Sequence, residues 1–228
     1  MRNFKSIPIV IKNLLIANGL MYLAEITFGE VIINNLALHN YQSPAFGIWQ
    51  LITYQFLHAM PPMIFHLLFN MLALWMFGSM LETLWGPKRF LLFYLICGIG
   101  AGLINMMAGS IELNILINKV NEGTIPMSYF QDRAGSIVHG VTLGASGSIM
   151  GVFAAYAYLF PNNPMYIMPF PFPIKTKYVI IGLIALDVFG GINPQYGGGV
   201  AHYAHLGGAL FGFILVKTMN KTNRRNFY

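Results

Sequence analysis

Long apolar runs are the feature that most constrains how this chain can fold. Several of them approach or reach the roughly 20 residues that cross the hydrocarbon core of a bilayer as a helix. Of the 228 residues, 56% are hydrophobic and only 9% are charged, whereas about 25% of the residues in a soluble domain are charged. The sequence therefore predicts a polytopic membrane protein rather than a soluble domain folded around one hydrophobic core.

The predicted fold is an all-α membrane protein, a six-transmembrane-helix bundle that forms one domain over residues 1–228. The six spans are expected near 10–29, 64–82, 90–109, 141–160, 178–192 and 201–219. Two long loops, 30–62 and 110–140, are expected on the outer side of the membrane. Within the first of them, residues 48–57 have the amphipathic pattern of an interfacial helix.

The distribution of basic residues predicts the orientation. Of the 13 Lys and Arg residues, only Lys119 and Arg133 fall on the outer side of these spans, and the other 11 fall on the inner side. Short loops rich in Lys and Arg stay in the cytoplasm, so both termini are predicted to be cytoplasmic. The net charge of +6 follows from this topology, and no nucleic-acid partner is expected.

Four polar side chains are predicted to share one layer of the membrane. His66 and Asn70 lie in the first two turns of span two, Ser146 about five residues into span four, and His205 about four residues into span six. These three spans all run from outside to inside in the predicted topology. With a rise of about 1.5 Å per residue, the four side chains should lie at similar depth near the outer face. Polar residues at such positions are costly and indicate a functional site.

Ser146 is the candidate nucleophile because of its sequence surroundings. It stands in Gly144-Ala145-Ser146-Gly147, and its flanking glycines permit close approach of a substrate backbone. Its amide is near a helix start, where free N–H groups and the helix dipole favour an anion. Taken alone, however, the glycines at 147 and 151 also fit a small-residue face for helix packing.

His205 is the candidate base for that nucleophile. It lies three residues before Gly208, and Gly208 and Gly212 form a second small-residue face that can pack against span four. Such packing would bring the imidazole of His205 within reach of the Ser146 hydroxyl, as a nucleophile and its general base require. His202, one turn nearer the surface, is interpreted as a hydrated or interfacial residue.

His66 and Asn70 share one face of span two because they are four residues apart. Their side-chain N–H groups can complete an oxyanion hole with the Ser146 amide, and a polar pair that binds neighbouring helices is the alternative. No carboxylate is expected behind His205, because Glu82 and Asp187 are assigned to depths far from the outer layer. The expected machinery is a Ser–His dyad, with Glu82 as a capping group at the inner end of span two.

Three motifs together resemble those of the rhomboid intramembrane serine proteases. They are His66-Leu67-Leu68-Phe69-Asn70, Gly144-Ala145-Ser146-Gly147 and Ala204-His205-Leu206-Gly207-Gly208-Ala209-Leu210-Phe211-Gly212. The resemblance implies that Ser146 is the nucleophile and His205 its base, without a metal or other cofactor. It assigns His66 and Asn70 to stabilising the oxyanion. It also implies that the substrates are single-span transmembrane proteins, cut near the outer face of the membrane.

Two positions depart from the family pattern. Gln50 follows Trp49 where the family often has an arginine, which affects the stability of the first loop. Met150 stands four residues after the nucleophile, where many bacterial members have a tyrosine stacked on the histidine. Neither departure removes a reactive group.

A non-catalytic rhomboid-like scaffold that binds transmembrane helices is the main alternative, and a transporter is the third. The chain keeps both the serine and the histidine, which favours the protease over the scaffold. A transporter would predict carboxylates in the same layer and internal repeat symmetry. The expected location of this multi-pass, lipid-embedded protein is the cell (inner) membrane of a bacterium.

Overall fold

The structure, a computed structural model, describes residues 7–58, 64–166, 172–193 and 202–223. This part of the chain is mostly helical. The helices are α1 (Ile9–Phe28), α2 (Glu30–Leu36), α3 (Gln50–Thr53), α4 (Ile64–Ala73), α5 (Ser79–Trp85), α6 (Pro87–Asn121), α7 (Met127–His139), α8 (Ser146–Leu159), α9 (Thr176–Ile192) and α10 (His202–Asn223). A π-helical turn (Leu74–Gly78) joins α4 to α5, and a 3₁₀ turn (Tyr54–Phe56) follows α3.

Helices occupy the positions of all six predicted spans. Among the described residues, three helical runs are long and apolar enough to cross a membrane, namely α1, the continuous run Ile64–Trp85 and α6. The third, fourth and sixth differ most from their predicted limits: α6 continues beyond residue 109, α8 begins later than residue 141, and α10 continues to Asn223. The number of spans and the side on which the termini lie stay predictions.

Large apolar side chains cover the outside of the helices. Leu20 on α1, Phe65 on α4 and Leu186 on α9 are 62%, 65% and 67% exposed. Isolated exposed apolar residues are ordinary on soluble proteins, but large contiguous apolar surfaces mark contact with a partner or a membrane. Together with the three long apolar runs, these surfaces are those of an integral membrane protein.

The segment 110–140, predicted as the second long outer loop, contains helix: α6 continues to Asn121 and α7 occupies Met127–His139. Its location on the outer side stays a prediction. Arg133 on α7 forms a bidentate ion pair with Glu112 on α6, with N–O distances of 2.6 and 3.0 Å. Hydropathy shows where the apolar run ends but not where the helix ends, because a helix can continue with polar residues. The helical interpretation of residues 48–57 is confirmed by α3 and the 3₁₀ turn that follows it.

The segment between α2 and α4 packs against the approach to α8. Strand β1 (Leu38–His39) pairs antiparallel with β2 (Val141–Thr142). A second short pair, β3 (Pro164–Met165) with β4 (Ile174–Lys175), lies between α8 and α9. The first pair fixes the backbone just before Ser146, so the first loop helps to position the site.

Gln50 stabilises this first loop, although it stands where the family often has an arginine. Its Nε2 donates to the carbonyl oxygens of Ala45 and Asn35, at 2.9 and 3.4 Å. Its Oε1 accepts a 3.2 Å hydrogen bond from the backbone N–H of His39. The side chain is fully buried, so a neutral amide here satisfies several backbone groups that would otherwise be unpaired.

The small-residue faces of α8 and α10 pack directly against each other, as the glycine spacing predicts. A Cβ atom added to Gly212 would lie 2.5 Å from the Cα of Gly151, and one added to Gly208 would overlap the carbonyl oxygen of Gly147. Glycine is therefore required for this backbone contact. Because the two helices approach so closely, residues at their N-terminal ends are held within reach of each other.

Glu82 caps a helix, as predicted from sequence, but the helix is α1. Its carboxylate oxygens accept hydrogen bonds from the backbone N–H groups of Val10 and Ile11, at 3.0 and 2.8 Å. Free N–H groups at a helix start favour a negative charge. Glu82 therefore ties α5 to the beginning of α1.

Candidate active site

A sharp turn at Gly144 delivers Ser146 to the first position of α8. Gly144 has a φ of +125°, a conformation that other residues rarely adopt. Its N–H donates to the carbonyl oxygen of Tyr54 at 2.9 Å. A Cβ atom at this position would also lie 3.1 Å from Cε1 of His66. The glycine thus permits both the turn and the close approach of the α4 histidine.

Ser146 and His205 are brought together at the N-terminal ends of α8 and α10. The Oγ of Ser146 lies 2.8 Å from Nε2 of His205, a hydrogen-bond distance. The close packing of the two helices places the fourth residue of α10 beside the first residue of α8. The geometry is the one that the sequence hypothesis required of a nucleophile and its base.

The neighbouring serine is engaged elsewhere. Ser148 is buried, and its Oγ donates a 3.0 Å hydrogen bond to Oε1 of Gln55. Because residues two apart on a helix face different sides, the side chain of Ser148 points away from that of Ser146. Of the two serines in this segment, Ser146 alone has a hydrogen bond to histidine among the described contacts.

The expectation that no carboxylate lies behind His205 is wrong. Oδ1 of Asp187, on α9, lies 3.0 Å from Nδ1 of His205. The same oxygen lies 2.8 Å from Nδ1 of His202. His202 is therefore bonded within the site, and its interpretation as a merely hydrated or interfacial residue is also wrong.

The predicted depth of Asp187 is wrong because it does not take the direction of its helix into account. In the predicted topology α9 runs from inside to outside, so its depth must be counted from Ile192. Asp187 is five residues before that end, which corresponds to about 7.5 Å at about 1.5 Å per residue. The predicted depth of Ser146 is nearly the same, because it lies about five residues from the outer end of span four. Counting from the outer end would have found the acid from the sequence.

His66 and Asn70 both lie on α4, and His66 is the one that contacts the turn before Ser146. The ring of His66 touches the position of the missing Gly144 side chain, which is also 3.6 Å from the Ser146 Oγ. Asn70 is 7% exposed, and its Nδ2 has no hydrogen-bond partner among the described residues. A buried polar group of this kind calls for an explanation.

His58 is a neutral packing residue beside the site. Its ring meets the ring of His66 edge to face, with centroids 5.3 Å apart. Burial lowers the pKa of His58 to about 4. Both carboxylate oxygens of Glu25 accept from its backbone N–H, at 2.9 and 3.1 Å. These contacts support a structural role for His58.

Met150 packs into the protein interior, in the position of the family tyrosine. It is 6% exposed and forms a small cluster with Ala154 of α8 and Ala209 of α10. Leu183 and Ile184 of α9 pack against this cluster. Met150 therefore links the three helices that carry Ser146, Asp187 and His205.

A cavity of about 290 Å³ opens beside His202 of α10. It is lined by His202 and Tyr203, by Asn105, Glu112 and Arg133 of α6 and α7, and by Thr142 of β2. The lining provides several hydrogen-bonding groups, which is what a cavity needs to hold water. Ser146 and His205 are not among its lining residues.

The site therefore consists of a serine hydroxyl within hydrogen-bond distance of a histidine, inside a helical bundle with an apolar exterior. A model of the rhomboid domain matches residues 45–222, which is more than half of the chain. The chain belongs to the rhomboid family. The resemblance inferred from the three motifs is thereby confirmed.

Curated relatives carry names of the same family. "Rhomboid protease AarA" of Providencia stuartii is 31% identical over 66% of this chain and 49% of its own length. "Rhomboid protein 1, mitochondrial" of Saccharomyces cerevisiae is 28% identical over 70% of this chain and 40% of its own length. The human "Presenilin-associated rhomboid-like protein, mitochondrial" is 31% identical over 67% and 34%. The chain thus spans less than half the length of each.

Proposed function

We propose that this protein is an intramembrane serine endopeptidase that cleaves transmembrane substrate proteins near the outer face of the membrane. The observation that carries the proposal is the 2.8 Å hydrogen bond between Oγ of Ser146 and Nε2 of His205. One relative, 31% identical, is named a protease. A scaffold that only bound helices would have no need to keep this pair in contact.

Ser146 acts as the nucleophile in the proposed reaction. Its Oγ forms a bond to the carbonyl carbon of the substrate while Nε2 of His205 takes its proton. The carbonyl electrons move to oxygen, and the amide N–H of Ser146 and the side chains of Asn70 and His66 hold the resulting oxyanion. The C–N bond then breaks, and His205 returns the proton to the leaving amine.

A water molecule completes the turnover. His205 removes a proton from the water, the hydroxide attacks the acyl-enzyme, and the Ser146 oxygen leaves with a proton from His205. We propose that this water reaches the serine from the outer face of the membrane. This route suits a nucleophile that lies within an apolar bundle.

The proposed substrates are single-span membrane proteins, and the surrounding partner is lipid. A helical backbone has its carbonyl groups hydrogen-bonded internally, so the substrate must unwind before the serine can attack. The proposed location is the inner membrane of a bacterium, with both termini cytoplasmic. The support for that orientation is the excess of basic residues on one side of the spans.

Reconstitution into liposomes tests this proposal. A single-span substrate tagged at both ends is expected to give two fragments, with the new terminus located by mass spectrometry in the outer part of its span. The matched control is the same substrate with that part replaced by consecutive leucines, which resist unwinding and should stay uncut. Binding without cleavage would support the scaffold instead. Cleavage of soluble casein but of no membrane substrate would contradict the proposed substrate class.

A further inference from the structure

One carboxylate joins two histidines at the interface of α9 and α10. Oδ1 of Asp187 accepts from Nδ1 of His202 and from Nδ1 of His205, at 2.8 and 3.0 Å. The Asp187 side chain is only 9% exposed. A buried carboxylate requires hydrogen-bond partners, and here both of its histidine partners lie on the helix that carries the proposed base.

We propose that Asp187 is a positioning residue for the reaction, which fixes the tautomer and ring orientation of His205 and stabilises its protonated form. The inference rests on the proposed function. It goes beyond the Ser–His dyad, because it gives the base a third group that selects its reactive state.

The tautomer follows from the chemistry of the two ring nitrogens. A neutral imidazole has one N–H and one acceptor nitrogen, and an ionised carboxylate can only accept. The Asp187 carboxylate therefore holds the proton of His205 on Nδ1. This leaves the lone pair of Nε2 directed at the hydroxyl of Ser146, as a general base requires.

The carboxylate also favours the charge that forms during the reaction. When His205 takes the proton from Ser146, its ring becomes an imidazolium next to a negative group. The attraction between opposite charges is stronger away from bulk water. The proton on Nδ1 stays on the histidine, so Asp187 acts by orientation and electrostatics.

His202 keeps this carboxylate in place. Gly190, one turn after Asp187 on α9, lies against the ring of His202, and a Cβ atom there would overlap that ring. The glycine opens a notch in α9 that seats His202 with its Nδ1 directed at Asp187. A second donor on the same oxygen limits the rotation of the carboxylate, which keeps it aligned with His205.

Other groups that face His205 do not supply this function. Ser146 of α8 bonds to the opposite nitrogen, and His66 of α4 interacts with His205 through space as a like-charged group when both are protonated. His202 is a hydrogen-bond donor on the same helix as His205. Asp187 is thus the carboxylate bonded to the base in the described part of the chain.

A purely structural role would make Asp187 only a tether between α9 and α10, and the interface contains a matched tether. The hydroxyl of Tyr203 on α10 donates a 2.8 Å hydrogen bond to the carbonyl oxygen of Gly191 on α9. This bond does not involve His205. Tyr203→Phe therefore removes a link between the same helices while leaving the Asp187–His205 contact in place.

The test measures cleavage of a single-span substrate by the reconstituted full chain across pH. Asp187→Asn is expected to lower kcat at least about tenfold with a smaller change in KM, because the amide can present its N–H to His205 and select the wrong tautomer. The acid limb of the kcat profile should move to lower pH, since the remaining imidazole holds a proton less strongly. Asp187→Glu should restore part of the rate, and Tyr203→Phe should keep the wild-type profile.

A second variant keeps the test decisive if Asp187→Asn fails to fold. His202→Leu leaves the carboxylate with one donor fewer, so His205 should hold its proton more strongly and the acid limb should move to higher pH. Unchanged profiles in the folded variants, or equal losses in Asp187→Asn and Tyr203→Phe, would overturn the inference. Ser146→Ala is run in the same assay: wild-type cleavage that survives this change overturns the proposed function and the inference together. Cleavage that requires Ser146 but is indifferent to Asp187 overturns the inference alone.

Discussion

Ser146→Ala is expected to lower the cleavage rate of a single-span substrate by at least about a thousandfold, as loss of a serine nucleophile does in other serine proteases. The reason is that the first covalent bond of the reaction forms through the Ser146 Oγ. No other described hydroxyl is hydrogen-bonded to His205. The measurement is the initial rate of fragment formation in liposomes at equal protein content.

The matched control is Ser148→Ala, two residues further along the same helix. This change removes a hydroxyl that donates to Gln55, so it should cost about 1 kcal/mol of stability and leave the cleavage rate near that of the wild type. Thermal unfolding in detergent checks that both variants are folded. Equal loss of cleavage in the two variants, or full cleavage by Ser146→Ala, would contradict the assignment of the nucleophile.

His205→Ala is expected to have an effect of similar size, about a thousandfold or more in kcat. Without the imidazole, the hydroxyl of Ser146 has no group to take its proton, and only water or hydroxide can serve. The residual rate should therefore rise with pH and lose the acid limb that a titrating histidine produces. The measurement is kcat over a range of pH with the same reconstituted substrate.

His139→Ala is the matched control for the histidine. His139 is exposed at the end of α7, so its removal should leave both the rate and the pH profile unchanged. If His205→Ala kept the acid limb of the wild type, another residue would be the base, and the proposed pairing with Ser146 would be wrong.

Much of the helical framework follows from the sequence because membrane insertion imposes long apolar runs. The first predicted span, 10–29, agrees with α1 within one residue at each end. The helices within 110–140 were not predicted, because they are polar and hydropathy does not show where a helix continues beyond an apolar run. The Arg133–Glu112 ion pair that joins α7 to α6 depends on the fold and not on local sequence.

The contact between Ser146 and His205 was accessible from glycine spacing, since Gly208 and Gly212 have no packing role unless α10 meets another small-residue face. Asp187 was missed for a different reason. The depth of an acid in an apolar run depends on the direction of its helix, and only a count from the outer end of α9 places Asp187 near the level of Ser146. The hydrogen bonds of Gln50 were likewise beyond the sequence, because they join backbone groups of a folded loop.

The most direct measurement for the central claim is the position of a fluorophosphonate adduct on the folded protein. An activated serine displaces fluoride and forms an Oγ–P bond, and mass spectrometry of peptides then locates the modified residue. We expect the adduct on Ser146 in the wild type, none in Ser146→Ala, and strongly reduced labelling in His205→Ala. An adduct on another residue, or no adduct under conditions that fully label a soluble serine protease, would contradict the claim that Ser146 is a nucleophile activated by His205.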